Sequence, residues 1–293
     1  MPIDAPCPPE VLASVGDLEL VARIVVEGLV SGLHRSPFHG YSAEFSQYRR
    51  YRPGDDLKYV DWKLLARTDR VFTKQFRETT NMAASIVVDT SASMDFPPKA
   101  IANTTKFRYG VIVAAALAHV IAGQGDAVGL VGRDEILPAR GGRQHLRRLL
   151  ASLGSLTPGR TWSGPDIVRS AADRLSRHGL LLVISDFYDA EERMTAELRR
   201  AQRMGHEVVL FQVLTRDEIE LPYHRDLEFA DLESGARVAA NATLARRDYR
   251  DAVAEFLERM RSRSIAEGFH YTLAVTDTPP ARALRTLLLS RRP

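Results

Sequence analysis

Ala84-Ser85-Ile86-Val87-Val88-Asp89-Thr90-Ser91-Ala92-Ser93 decides how the rest of this chain is read. Five small or β-branched residues run without polar alternation and stop at a carboxylate. A strand that is apolar on both faces belongs inside a parallel sheet covered by helices, not at a solvent-facing edge. Working outward, 105–122 reads as a long buried helix, 127–131 as a second strand, and 135–137 as a third strand reached through a hairpin at Gly132-Arg133-Asp134. Helices at 144–153 and 166–176 lead to a further apolar run, Leu180-Leu181-Leu182-Val183-Ile184, which stops at Ser185-Asp186. A helix over 190–204 ends at Gly205, and a strand follows at 207–214. A long helix over 244–267 ends at Gly268, with a last strand at 269–275 and a last helix at 281–289. Strands alternating with helices predict an α/β, Rossmann-like, doubly wound and mostly parallel sheet over 83–293. A hairpin at about 226–239 interrupts the alternation, and it is expected to project from the sheet and pair with strands of the N-terminal module.

The first third differs. Residues 1–16 read as a loose Pro-rich tail. Leu18, Val21, Ile24, Val25 and Leu29 fall at helical spacing behind Asp17, an N-cap candidate, so 1–33 is a tail plus a docking helix. Residues 34–82 are polar, aromatic and turn-rich, with Pro53-Gly54 as a turn and 44–51 and 70–75 as short strands. They are expected to form a small β-rich module that buries Tyr51 and Trp62 against the main domain. Burying one such ring would contribute on the order of 2–3 kcal/mol.

Totals narrow the function. The chain has 293 residues, 45% of them hydrophobic, enough for a full core. Forty Lys and Arg against 37 Asp and Glu leave a formal charge of +3, mild for a nucleic-acid binder. The single cysteine, Cys7, allows no internal disulfide and no zinc–cysteine cluster. No secretory leader is visible, and the apolar stretch 111–123 falls short of the roughly 20 residues of a membrane span. The expectation is a cytoplasmic protein without a membrane span.

Asp89 and Asp186 each end a buried strand. In a doubly wound sheet such ends line one edge, where ligands bind. Ser91 and Ser93 follow Asp89 at i+2 and i+4, and a further hydroxyl, Thr161, lies in the loop before a helix. Hydroxyls and carboxylates are hard oxygen donors that suit Mg²⁺, with Mn²⁺ or Ca²⁺ as alternatives. The alternative for a lone Asp89 is a carboxylate that merely caps a strand–helix junction.

The set Asp89-Thr90-Ser91-Ala92-Ser93-Met94, Thr161 and Asp186 resembles the metal-ion-dependent adhesion site of von Willebrand factor type A domains. Other segments are similar to the bacterial family catalogued as domain of unknown function 58. They are Gly40-Tyr41-Ser42-Ala43-Glu44-Phe45, Arg50-Tyr51-Arg52-Pro53-Gly54-Asp55-Asp56, Val60-Asp61-Trp62-Lys63, Ala66-Arg67-Thr68, Asp231-x-Glu233-x-Gly235 and Thr276-Asp277-Thr278-Pro279. The resemblance implies that Ser91, Ser93 and Thr161 touch the ion and that Asp89 and Asp186 act through water. It also implies that the last position takes an Asp or Glu from a partner, a MoxR-type AAA+ ATPase.

Catalysis is the first rival. An aspartyl phosphatase would want a second Asp two residues after Asp89, where Ser91 stands. Neither a Gly-x-Ser-x-Gly elbow nor a phosphate-binding Gly-x-x-x-x-Gly-Lys loop is present. A non-catalytic interaction protein is expected over a metal-dependent hydrolase. Nucleic-acid binding is the second rival: Arg49, Arg50 and Arg52 interleave with Tyr48 and Tyr51, and Arg140, Arg143, Arg147 and Arg148 form another basic stretch. A solvated face or an acidic partner surface accounts for both more simply.

Overall fold

The computed structural model describes residues 7–30, 43–52, 55, 60–78, 82–96, 104–159, 162–176, 178–188 and 191–290. Six strands form the central sheet: β3 (Ala83–Val88), β4 (Ala127–Val131), β5 (Ile136–Arg140), β6 (Leu180–Ser185), β7 (Glu207–Leu214) and β10 (His270–Val275). Their order is β10-β7-β6-β3-β4-β5, all parallel except β5, which runs antiparallel to β4 at one edge. This is a doubly wound α/β fold, a mostly parallel sheet with one antiparallel edge strand.

The uninterrupted apolar runs are explained by two cores. Ala84, Ile86, Val88, Leu180, Leu182, Ile184, Val209, Phe211 and Val213 point into one cluster, shared with α4 (Lys106–Gly123) and α5 (Arg143–Ser155). Val87, Leu181, Val183, Val208 and Leu210 point into the other, shared with α6 (Gly164–Arg174), α7 (Glu191–Arg203) and α9 (Ala242–Ala266). Side chains alternate across a strand, so a strand apolar at every position can only sit between two such layers. By length and composition α4 could cross a membrane, but 72% of it is buried in the protein, packed on β3, β4 and α5.

The N-terminus belongs to the first core. Residues 9–14, expected as loose tail, form α1 (Pro9–Ser14), with Pro9 at its start and Leu12 only 1% exposed. In α2 (Leu18–Val30), Leu18, Val21, Val25 and Leu29 are buried against α4 and α10 (Pro280–Ser290), and Asp17 caps its start through the amides of Glu19 and Leu20.

Two hairpins stand apart from the sheet. β1 (Ala43–Arg50) pairs antiparallel with β2 (Phe72–Glu78), with α3 (Trp62–Thr68) between them in the chain. β8 (Asp226–Ala230) pairs with β9 (Arg237–Asn241), after the short α8 (Arg216–Glu220) and before α9. Each is its own two-stranded sheet, and among the described residues the expected pairing of the 226–239 hairpin with the N-terminal module is not found. The expected burial of Trp62 is also overturned. It is 60% exposed, because a two-stranded hairpin and a seven-residue helix offer too little surface to enclose an indole. Tyr51 is half-buried, and Pro53-Gly54 and 34–42 lie outside the described residues.

At the β5 edge, Gly129 of β4 lies under the partner strand's backbone. A Cβ there would meet Leu137 O at 2.6 Å and Ala139 N at 2.7 Å, where the register shifts. Pro138 sits within β5 at that shift.

Candidate metal centre

β3 pairs with β4 on one side and with β6 on the other, so strand order reverses around it. Asp89 and Asp186 follow the neighbouring strands β3 and β6, at the crevice where such sheets bind ligands. The register fixes them: Val88 lies beside Ile184, and the Asp89 amide donates to Ile184 O at 2.9 Å.

Asp89, Ser91, Ser185 and Asp186 are all buried, and Ser93 is half-buried. Asp89 Oδ1 accepts from the Ser91 amide at 2.8 Å and Oδ2 from the Ser185 hydroxyl. The Ser91 and Ser93 hydroxyls are 3.0 Å apart, and Ser93 donates to Asp186 Oδ2 at 2.8 Å. A single 3₁₀ turn, Ala92–Asp95, folds the hydroxyl loop, and buried Met94 anchors it. After Asp186 the chain turns sharply through Phe187, whose φ of 59° is left-handed and costs a non-glycine residue roughly 1–2 kcal/mol. Asp186 is also braced from below: Gln212 donates to its carbonyl at 2.7 Å, and Tyr271 donates to Gln212 at 2.6 Å.

Burial, and next the charge of Asp186, push the Asp89 carboxyl up to about 7 from its ordinary 3.8, against the opposing hydrogen bonds from Ser185 and Ser91. Two buried carboxylates and two hydroxyls thus converge with an excess of negative charge. Among the described residues no three His, Cys, Asp or Glu side chains gather as a metal site, so hydroxyls are half of this donor set.

Two further charged residues enter the cluster without having been singled out in the sequence. Lys106 is fully buried, and its ammonium bonds Asp186 Oδ2 at 2.7 Å and Glu218 Oε1 at 2.5 Å. Burial opposes its charge, but Asp186 and Glu218 outweigh this and hold it above the usual lysine range. The Tyr188 ring lies 5.1 Å from the ammonium and stacks on Phe256. Glu218 comes from α8 just past β7, where it closes a capping box with Thr215: its Oε2 accepts from the Thr215 amide and hydroxyl, each at 2.8 Å. Three adjacent strands therefore deliver a carboxylate to one edge.

Thr161 lies outside the described residues. The Gly159 amide, two residues earlier, donates to Thr90 O at 3.1 Å. The basic and aromatic residues of the N-terminal arm are partly engaged internally: Arg49 pairs with Asp55 at 2.7 Å, and Tyr48 donates to Asp61 at 2.9 Å. Arg147 approaches Glu19 at 3.7 Å.

Uncharacterized proteins of Mycobacterium tuberculosis and Mycobacterium bovis are 32% identical over 235 residues, covering 78% of this chain and 72% of their own. The uncharacterized protein YeaD of Bacillus subtilis is 29% identical over 122 residues, 40% of this chain and 28% of its own. Among solved structures, conserved hypothetical protein BatB from Bacteroides thetaiotaomicron is 14% identical, with a TM-score of 0.47 over 72% of this chain and 98% of that one. A von Willebrand factor type A protein from Catenulispora acidiphila is 12% identical, with a TM-score of 0.36 over 75% of this chain and 44% of that one. The family described as "Protein of unknown function DUF58" matches residues 47–259, from the first hairpin through both strand-end carboxylates to α9. Because that match covers most of the chain, the chain belongs to the DUF58 family.

Proposed function

We propose that this protein is a non-catalytic, Mg²⁺-dependent interaction protein of the cytoplasm, working as an adaptor or co-chaperone of a MoxR-type AAA+ ATPase. The observation that carries the reading is the convergence of Asp89, Ser91, Ser93 and Asp186 at the switch in strand order. The donors are hard oxygens, and a buried carboxylate whose proton is held to about 7 is relieved by a cation. Ser91, Ser93, Asp89 and Asp186, with Thr161 from the adjoining loop, would hold Mg²⁺, with Mn²⁺ or Ca²⁺ as alternatives. A bound divalent ion would supply an open position for an Asp or Glu of the partner. Hydrolysis is the weaker reading, since both oxygens of Asp89 are already hydrogen-bonded within the protein and the second position after it carries Ser91 rather than an acid.

The test is binding of the ATPase by wild type, Asp89→Ala and Ser93→Ala, in Mg²⁺ and in EDTA, with circular dichroism to check folding. The expected outcome is loss of binding in EDTA and in both variants while the fold persists. Equal binding by all three, unaffected by EDTA, would overturn the ion as recognition element.

A further inference from the structure

Lys106 stands where a lysine should be unwelcome. It is the first residue of an 18-residue helix, at the positive end of the helix dipole, which disfavours a cation. It is 0% exposed, so its ammonium has left water altogether. Its neighbours along α4, Phe107 and Tyr109, are buried core residues. The two carboxylates that compensate are Asp186 and Glu218, and the oxygen it takes on Asp186, Oδ2, is the one that Ser93 also engages.

Charge in the cluster is unevenly met. The cluster holds three carboxylates, Asp89, Asp186 and Glu218, and one ammonium, which touches the last two, so two negative charges remain when all are ionised. Among the described residues no cation contacts Asp89, whose partners are a hydroxyl and an amide. The deficit matches a divalent ion, and the ammonium competes with that ion for Asp186.

We propose that Lys106 is a tethered cation of this site: it shares Asp186 with the divalent ion, sets the affinity for that ion low, and holds the cradle together without it. Glu218 gives the ammonium a second anchor, so Lys106 yields Asp186 without becoming an unpaired buried charge. The inference rests on reading the cluster as a cation site.

The experiment compares wild type, Lys106→Met and Lys106→Arg. Mg²⁺ affinity is read by titration calorimetry and melting temperature is read in EDTA and in Mg²⁺. Removing a like charge that shares the Asp186 carboxylate should make Lys106→Met bind Mg²⁺ at least about tenfold tighter than wild type. Its melting temperature in EDTA should fall, and Mg²⁺ should restore it by more than it raises the wild type. Lys106→Arg, which keeps the charge, should stay near the wild type. In unmodified protein, the slowly exchanging ammonium signal of Lys106 should shift in ¹H–¹⁵N spectra as Mg²⁺ is added, a readout that survives if Lys106→Met does not fold. Mg²⁺ binding that is equal in all three proteins, or that leaves the ammonium signal unmoved, overturns the role of Lys106 and leaves the cation site standing. Absence of Mg²⁺ binding to every form overturns both.

Discussion

Asp89 and Asp61 make the same local bond and end up in different chemistry. Each accepts backbone amides just ahead in the chain: Asp89 from Ser91, and Asp61 from Lys63 and Leu64. Asp61 caps α3 in the first hairpin arm, and its other oxygen takes the Tyr48 hydroxyl. Asp89 sits at the tip of a strand enclosed by two cores, with Asp186 on the neighbouring strand and Lys106 beyond it. The cap is complete as it stands, whereas the strand-end cluster carries charge that its protein partners do not balance. Local hydrogen bonding therefore does not separate a capping aspartate from one set in a buried charged cluster; the neighbouring strand does.

The comparison is sharpened most by striking the body itself. Phe211→Ala, in a fully buried position on β7, should cost about 3–5 kcal/mol in urea unfolding. A loss below about 1 kcal/mol would mean that the sheet layer does not hold the site. Next comes the pH dependence of Asp89 in EDTA. Its folded carboxyl binds a proton up to about 7, whereas the unfolded chain releases it near 3.8. The folded form of Asp89 thus holds its proton between those values, so the stability that Asp89 contributes is full below the lower one and declines as pH rises toward 7. The full loss is on the order of 4 kcal/mol, and Asp89→Asn should remove that part of the slope. A profile whose slope across this window is the same in Asp89→Asn as in wild type would contradict the buried like-charge pair.

Smaller effects belong to the arm. Asp61→Ala removes the cap of α3 and should cost about 1 kcal/mol, read as faster amide exchange at Lys63 and Leu64 with the sheet amides unaffected. Trp62→Ala should leave global unfolding within about 0.5 kcal/mol of wild type, because the indole is already largely in solvent. A clear drop in melting temperature would show that the indole packs against the body after all.

The readable parts of the sequence were those fixed by one strong, short-range signal. β3 and β6 announce themselves as apolar runs, and a carboxylate directly after each places the cluster. Lys106 and Glu218 were not visible as site residues, since they meet across 112 positions and no local pattern encodes that. Each left a trace: a lysine opening an otherwise apolar helix, and Thr215 followed three residues on by Glu218, the signature of a capping box. Trp62 misled because large aromatics usually anchor packing, and a segment with few apolar neighbours could not supply the pocket. Pro9 at a helix start was the missed clue to α1.

The β5 edge has a consequence for life at high concentration. An open sheet edge is a template on which a second chain can add its own strand, the first step toward filaments. Here the edge strand is only five residues long, runs against its neighbour, and shifts register at Gly129. Pro138 within it has no amide hydrogen to offer, and Arg140 brings a charge that an incoming strand would have to bury. On this side the sheet is closed to further strands without being covered, so the molecule can expose the end of its β-structure and still resist edge-to-edge aggregation.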